Sequence, residues 1–133
     1  MAYETVLENE WATVLYEPSA KYIYHTFHKG ISGEVFKSTM NTGLEALAKH
    51  GVTKWLSDDR KNDRFTPADV EFAITDWGPR AAQAGWKYWA LIVPESLAGR
   101  SGMSEIVESF HRLGVRMLVF THFDEALDWL VKQ

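Results

Sequence analysis

The chain predicts an α/β domain: a mixed β-sheet of four to five strands with helices packed on it, in the order β-β-α-β-α-β-α-β-α. Three observations carry this. "WATVLYE" (11–17) and "KYIYHTFH" (21–28) are rich in β-branched and aromatic residues and flank Pro18-Ser19, which reads as a hairpin. From residue 32 onward, stretches with apolar residues three and four apart alternate with short apolar runs, the pattern of strands joined through helices. "WKYWALIV" (86–93) is apolar on both alternating faces, with Lys87 its only charge, so it belongs inside a sheet covered on both sides.

Each element has a local reason. "YETVLE" can add a short strand before the hairpin. Ser32 can cap a helix whose stripe is Val35, Phe36, Met40, Leu44, Leu47 and Ala48, with Gly51 as its stop. "VTKWL" (52–56) is a strand. "TPAD" then starts a helix: Thr66 caps, Pro67 sits where its missing N–H costs nothing, and Asp69 places negative charge at the positive end. Val70, Ala73, Ile74, Trp77, Ala81 and Ala84 continue it to Gly85, with a kink expected at Gly78-Pro79. "PESLAGRSG" reads as a loop, followed by a helix through Ile106, Val107, Phe110 and Leu113 that stops at Gly114. "VRMLVF" (115–120) is the last strand. "THFDEALDWLVKQ" closes as a helix with Thr121 and Asp124 as a cap pair and Leu127 and Leu130 facing inward. The later strands should be parallel, with a binding rim at their carboxyl ends.

Composition narrows the function classes. The 133 residues suit a single domain over 1–133, large enough to fold without a metal or disulfide staple. With no cysteine, disulfides, thiol catalysis and zinc–thiolate sites are excluded, which suits a reducing cytoplasm. A net charge of −4 without a basic stripe disfavours nucleic acid. The acidic start "MAYETVLENE" is no signal peptide, and "WALIV" is far too short to span a membrane, so a soluble, cytoplasmic protein without cofactor is expected. Six Trp are many for so short a chain. Rings beyond what one core can hide favour a pocket or a subunit contact.

The candidate residues gather around "SDDRKNDRF" (57–65), on the expected rim. Asp58, Asp59 and Asp63 could hold a hard cation or raise one another's pKa. Against that, neighbours on an extended segment point apart, and the spacing lacks the glycine and closing glutamate of a calcium loop. The plainer reading has Asp58 accepting backbone N–H bonds and Asp59 pairing with Arg60 or Arg64. Thr66, beside Arg60 and Arg64, could hold an anion at a helix start or be a simple cap. Trp77 and Trp86, with Tyr88 and Trp89, could wall a pocket beside the kink or fill the core. His25 and His28, three apart on a strand, point to opposite faces and make no metal site. His50 and His111 sit near helix ends, where the dipole favours a cation. A Ser57–His122–Asp grouping would be a triad in name only, without an elbow to expose the nucleophile. Arg80 and Arg100 complete the set. If the 94–102 connection closes over a pocket, Arg100 and Ser101 would meet the ligand's polar end.

"KWLSDDR" (54–60), "DWGPRAAQAG" (76–85) with the "KYWALIVP" strand (87–94), and "FDEALDWL" (123–130), in this order, resemble the SpoIIAA-like branch of the STAS fold, small bacterial proteins of unassigned activity. The resemblance covers nearly the whole chain. It implies a small non-enzymatic domain that binds a partner protein or a ligand, a greasy ligand included. In the signalling members a phosphorylated serine follows an aspartate after the third strand. Here Asp58 takes the aspartate's place, Asp59 and Arg60 follow it, and Ser57 precedes it, so the phosphoswitch does not carry over.

The expectation is therefore a binding protein without catalysis. A docking or self-association face (a homodimer) on the helix 66–84 comes first. A small apolar or anionic ligand, lipid-like or phosphate-bearing, beside Trp77 comes second, and a small hydrolase using Asp58, Asp59 and His122 is a distant third. The binding set comprises Asp58, Arg60, Thr66, Trp77, Arg80, Trp86 and Arg100.

Overall fold

A computed structural model describes residues 2–64, 66–98 and 101–133, with backbone alone at 101–103. Strands β1 (Glu4–Glu8), β2 (Ala12–Glu17) and β3 (Tyr22–Phe27) lead into helix α1 (Gly33–His50) and strand β4 (Lys54–Asp58). Helix α2 (Pro67–Phe72), one π-helical turn (Ala73–Trp77) and helix α3 (Gly78–Gln83) precede strand β5 (Tyr88–Ile92). Helices α4 (Glu95–Ala98) and α5 (Ser101–Arg112), strand β6 (Arg116–Phe120) and helix α6 (Phe123–Val131) complete the chain.

The six strands form one sheet in sequence order, β1-β2-β3-β4-β5-β6. β1, β2 and β3 are antiparallel neighbours, whereas β3, β4, β5 and β6 run parallel. The α/β class and the parallel later strands are as expected. The count is six rather than four to five, because "ETVLE" pairs with β2 along Glu4↔Tyr16 to Glu8↔Thr13.

Period-two alternation sorts the central strands onto two cores. Trp55, Trp89 and Leu91 point to one face, where they pack with Phe36 and Met40 of α1, with Trp77, with Ala81 of α3, and with Phe110 of α5. Leu56, Ala90 and Ile92 point to the other, against Ala126 and Leu130 of α6. A strand covered on both sides cannot alternate apolar with polar, which accounts for the unbroken apolar run of β5.

Local chemistry sets the helix ends. Gly51 takes the left-handed conformation that closes α1, at φ 64°. Thr66 and Asp69 form a reciprocal capping box, each side chain accepting the other's backbone N–H at 3.1 Å. The kink expected at Pro79 is realised as the π turn: the Gly78 N–H donates to the Ala73 carbonyl five residues back. A proline ring crowds the carbonyl four residues before it, and one wider turn relieves that contact.

Three expectations change. α6 begins one residue later than a Thr121 cap requires; its N-cap is His122, without a side-chain cap bond. The "ESLA" part of the expected loop is helical, with the Pro94 carbonyl accepting the Leu97 and Ala98 N–H groups. Ser32 occupies the N-cap of α1 without bonding it; the Gly33 N–H is taken instead by Asp69 Oδ1 at 2.9 Å.

Candidate ligand-binding site

Between the sheet and the helices of the larger core lies a cavity of ≈ 260 Å³. Its floor is His25 of β3 with Trp89 and Leu91 of β5, and Val93 just beyond. Phe36 and Met40 of α1, Val70 of α2, and Ala73, Ile74 and Trp77 of the π turn form one wall. Leu97 of α4 and Ile106 and Phe110 of α5 form the other. Among the described residues the polar lining is His25, Asp59, Asn62 and Asp69. A mostly apolar concavity with a few convergent polar groups is the usual form of a small-molecule site.

The register builds the polar end. Parallel pairing places His25 beside Ser57, and Asp59 extends the ladder one residue beyond β4 by donating its N–H to the Ile92 carbonyl at 2.9 Å. His25, 1% exposed, is bonded at both nitrogens. Trp55 Nε1 donates to its Nδ1 at 2.9 Å, so in the neutral ring Nε2 carries the proton and donates to Asp59 Oδ1 at 2.7 Å. Trp89 Nε1 donates to Ser57 Oγ at 2.8 Å. The Asn62 N–H donates to the Asp59 carbonyl, closing a turn that carries both side chains. Asn62 Oδ1 then accepts the Ile31 and Arg64 N–H groups at 2.9 and 3.1 Å. The same amide's Nδ2 is buried with no partner. Asp69, 1% exposed, spends Oδ1 on Gly33 and Oδ2 on Thr66.

The aromatic scaffold behind this floor is tightly interlocked. Trp55–Trp77, Trp77–Trp86 and Trp86–Phe110 are edge-to-face pairs with centroids 5.1, 5.0 and 5.6 Å apart. Such pairs contribute about 0.5–1.5 kcal/mol each beyond area burial. Trp77 Nε1 donates to the Met40 carbonyl at 2.8 Å, which fixes that indole in the wall.

Of the described members of the binding set chosen from sequence, Trp77 alone lines this cavity; Trp89, also offered as a pocket wall, and Asp59, offered as a carboxylate site, line it too. Trp86 is 1% exposed and packs in the core behind it, its Nε1 on the Tyr88 carbonyl. Asp58 points to the opposite face of the sheet from Ser57 and is gripped by Arg60, Nε to Oδ1 at 2.9 Å and Nη2 to Oδ2 at 2.8 Å. Burial pushes the Asp58 carboxyl up, but the Arg60 hydrogen bonds and charge outweigh it and hold the group below its ordinary value. Thr66 is the helix cap, and Arg80 is exposed, bonded to Asp76 and Asn41. Arg100 lies outside the described residues. Asp59 pairs with His25, correcting the expected partners Arg60 and Arg64.

Sequence reasoning missed Asn62 and the role of His25. His25 alternates with Ile23 and Phe27, which marks it as facing the core, and that was the available signal. Ser57, His25 and Asp59 hold three residue types of a triad, yet Ser57 is fully buried and does not line the cavity. Its contact with His25 Nδ1 is 3.4 Å long, to a nitrogen already used by Trp55. Among the described residues no group of three or more metal-ligating side chains converges, and no helix is long and apolar enough to cross a membrane.

No protein-family model matches the chain, and no curated protein matches it.

Proposed function

We propose that this protein is a binding domain that encloses a small, largely apolar molecule in the cavity beside Trp77, without transforming it. The apolar cavity with its four described polar lining residues is the observation that carries the reading. The SpoIIAA-like resemblance supports a non-enzymatic binding role as well. The placement of the indoles favours a pocket over a docking face. Trp77 and Trp86 turn inward, and the helical surface over them presents Glu71, Thr75, Asp76, Arg80 and Gln83. The exposed large apolar residues among those described, Trp11 and Leu118, are separated in the sheet by β3, β4 and β5 and form no shared patch.

Native mass spectrometry on protein from its own host, together with titration by an environment-sensitive apolar dye, tests this. Added mass or saturable dye binding is expected in the wild type. Both should vanish in Ala73→Leu, whose longer side chain occupies the cavity. Dye binding that survives this filling in a folded variant would remove the reading.

A further inference from the structure

The geometry points to a specific head group: the cavity selects an uncharged carboxamide-type ligand, one that accepts and donates hydrogen bonds on adjacent atoms, over a carboxylate or an amine. This rests on the ligand-binding reading above and adds the chemistry of the ligand's polar end.

The polar end offers one donor and one acceptor. Asn62 Oδ1 is held by the N–H groups of Ile31 and Arg64, which settles which end of the amide is nitrogen. Nδ2 is therefore a true donor, buried and unpaired, on a residue 4% exposed that lines the cavity. An orphaned buried donor is costly, and a ligand carbonyl is the group that would relieve it. The acceptor is Asp59. His25 occupies its Oδ1, and its Oδ2 has no partner among the described residues. Asp59 and Asn62 stand at the two ends of one turn, and both border the cavity.

Among the described lining residues, charge disfavours the alternatives. No lysine or arginine is among the described lining residues, whereas Asp59 and Asp69 both are. A carboxylate head would sit against Asp59 with no lysine or arginine among the described lining residues to offset the repulsion, in surroundings that screen poorly. An amine would satisfy Asp59 but leave Asn62 Nδ2 unpaired. A carboxamide satisfies both, its carbonyl accepting from Asn62 and its N–H donating to Asp59.

Three ligands with one alkyl body separate the cases: hexanamide, hexanoate and hexylamine, titrated near neutral pH. The protein used is that whose native mass equals the bare chain, and binding is followed through its indole N–H resonances. Hexanamide is expected to bind at least about tenfold more tightly than either charged analogue, the effect of one buried unsatisfied group. Asn62→Asp keeps an oxygen to accept from Ile31 and Arg64, removes the donor and adds a negative charge in its place. In that variant the carboxamide preference should collapse while hexylamine gains. Equal affinities, or a preference for hexanoate or hexylamine, would overturn the head-group assignment and leave the pocket reading standing. Binding of none of the three, with no dye binding either, would overturn both. If Asn62→Asp fails to fold, as read by its thermal melt, the wild-type series decides alone.

Discussion

The indole Nε1 of Trp55 donates to Nδ1 of His25 at 2.9 Å, thirty residues apart in the chain and adjacent in the sheet. A nitrogen that accepts carries no proton, so this one contact dictates which edge of the imidazole faces Asp59. At mildly alkaline pH, ring ¹⁵N shifts should report an unprotonated Nδ1 and a protonated Nε2. Trp55→Phe removes the donor and should admit the other tautomer. A protonated Nδ1 in the wild type would contradict the network.

Gly43 lies in the middle of α1 where Trp55 packs against it. A Cβ built there would fall 2.3 Å from the indole Cη2. Trp55 is 1% exposed and tethered through Nε1, so the ring has little room to retreat. Gly43→Ala should therefore destabilise by about 1–3 kcal/mol, the range for overpacking, despite the better helix propensity of alanine. Urea denaturation measures it, and a shift of the Trp55 Nε1 resonance should accompany the loss. A variant as stable as the wild type would show that the helix can move away from the ring.

Asp69 ties the starts of two helices together by accepting from both Gly33 and Thr66. Thr66 contributes one cap bond, to the Asp69 N–H. Thr66→Ala should cost about 1 kcal/mol, as caps do. Asp69→Asn should cost more, about 2 kcal/mol, because an amide N–H₂ must then face one of the two partly buried N–H donors. Equilibrium unfolding of both variants gives the ranking, and the reverse order would show that the α1–α2 link matters less than the local cap.

Asp58 ties stability to pH. Its folded pKa lies below the ordinary value of 3.8 because Arg60 bonds and charge outweigh burial. A carboxyl depressed on folding stabilises the native state above its unfolded pKa. That contribution is lost as pH falls from about 3.8 through the lower folded value. Since Arg60 is 41% exposed, solvent screens the pair, and Asp58→Asn should cost only about 1 kcal/mol near pH 7. The gap between wild type and variant should narrow toward about pH 3. Urea midpoints at the two pH values test it; an unchanging gap would mean the pair adds no charge-dependent stability.

Much of this architecture is legible along the chain. Turn chemistry at Pro18-Ser19, the stripe of α1 ending on Gly51, the Thr66–Pro67–Asp69 start and the doubly apolar β5 each lie within one short segment. Helix and strand periods are local, so neighbours in sequence suffice to reveal them. The same reading could say that Trp77 and Trp86 are inward-facing, yet not that one lines a cavity and the other packs behind it.

The polar end of the pocket could not be read in this way. His25 meets Asp59 across 34 positions, and Asn62 faces Ile31 across 31. Those meetings depend on the parallel register that sets His25 beside Ser57. The charged run 57–64 shows its residues but not their partners: Asp58 and Asp59 part to opposite faces, one to Arg60 and the other to His25. Amino-acid order is sufficient for elements because their hydrogen bonds and side-chain periods close over a few residues. A cavity is the space left when separately specified elements pack, and that volume exists only after distant parts of the chain have met.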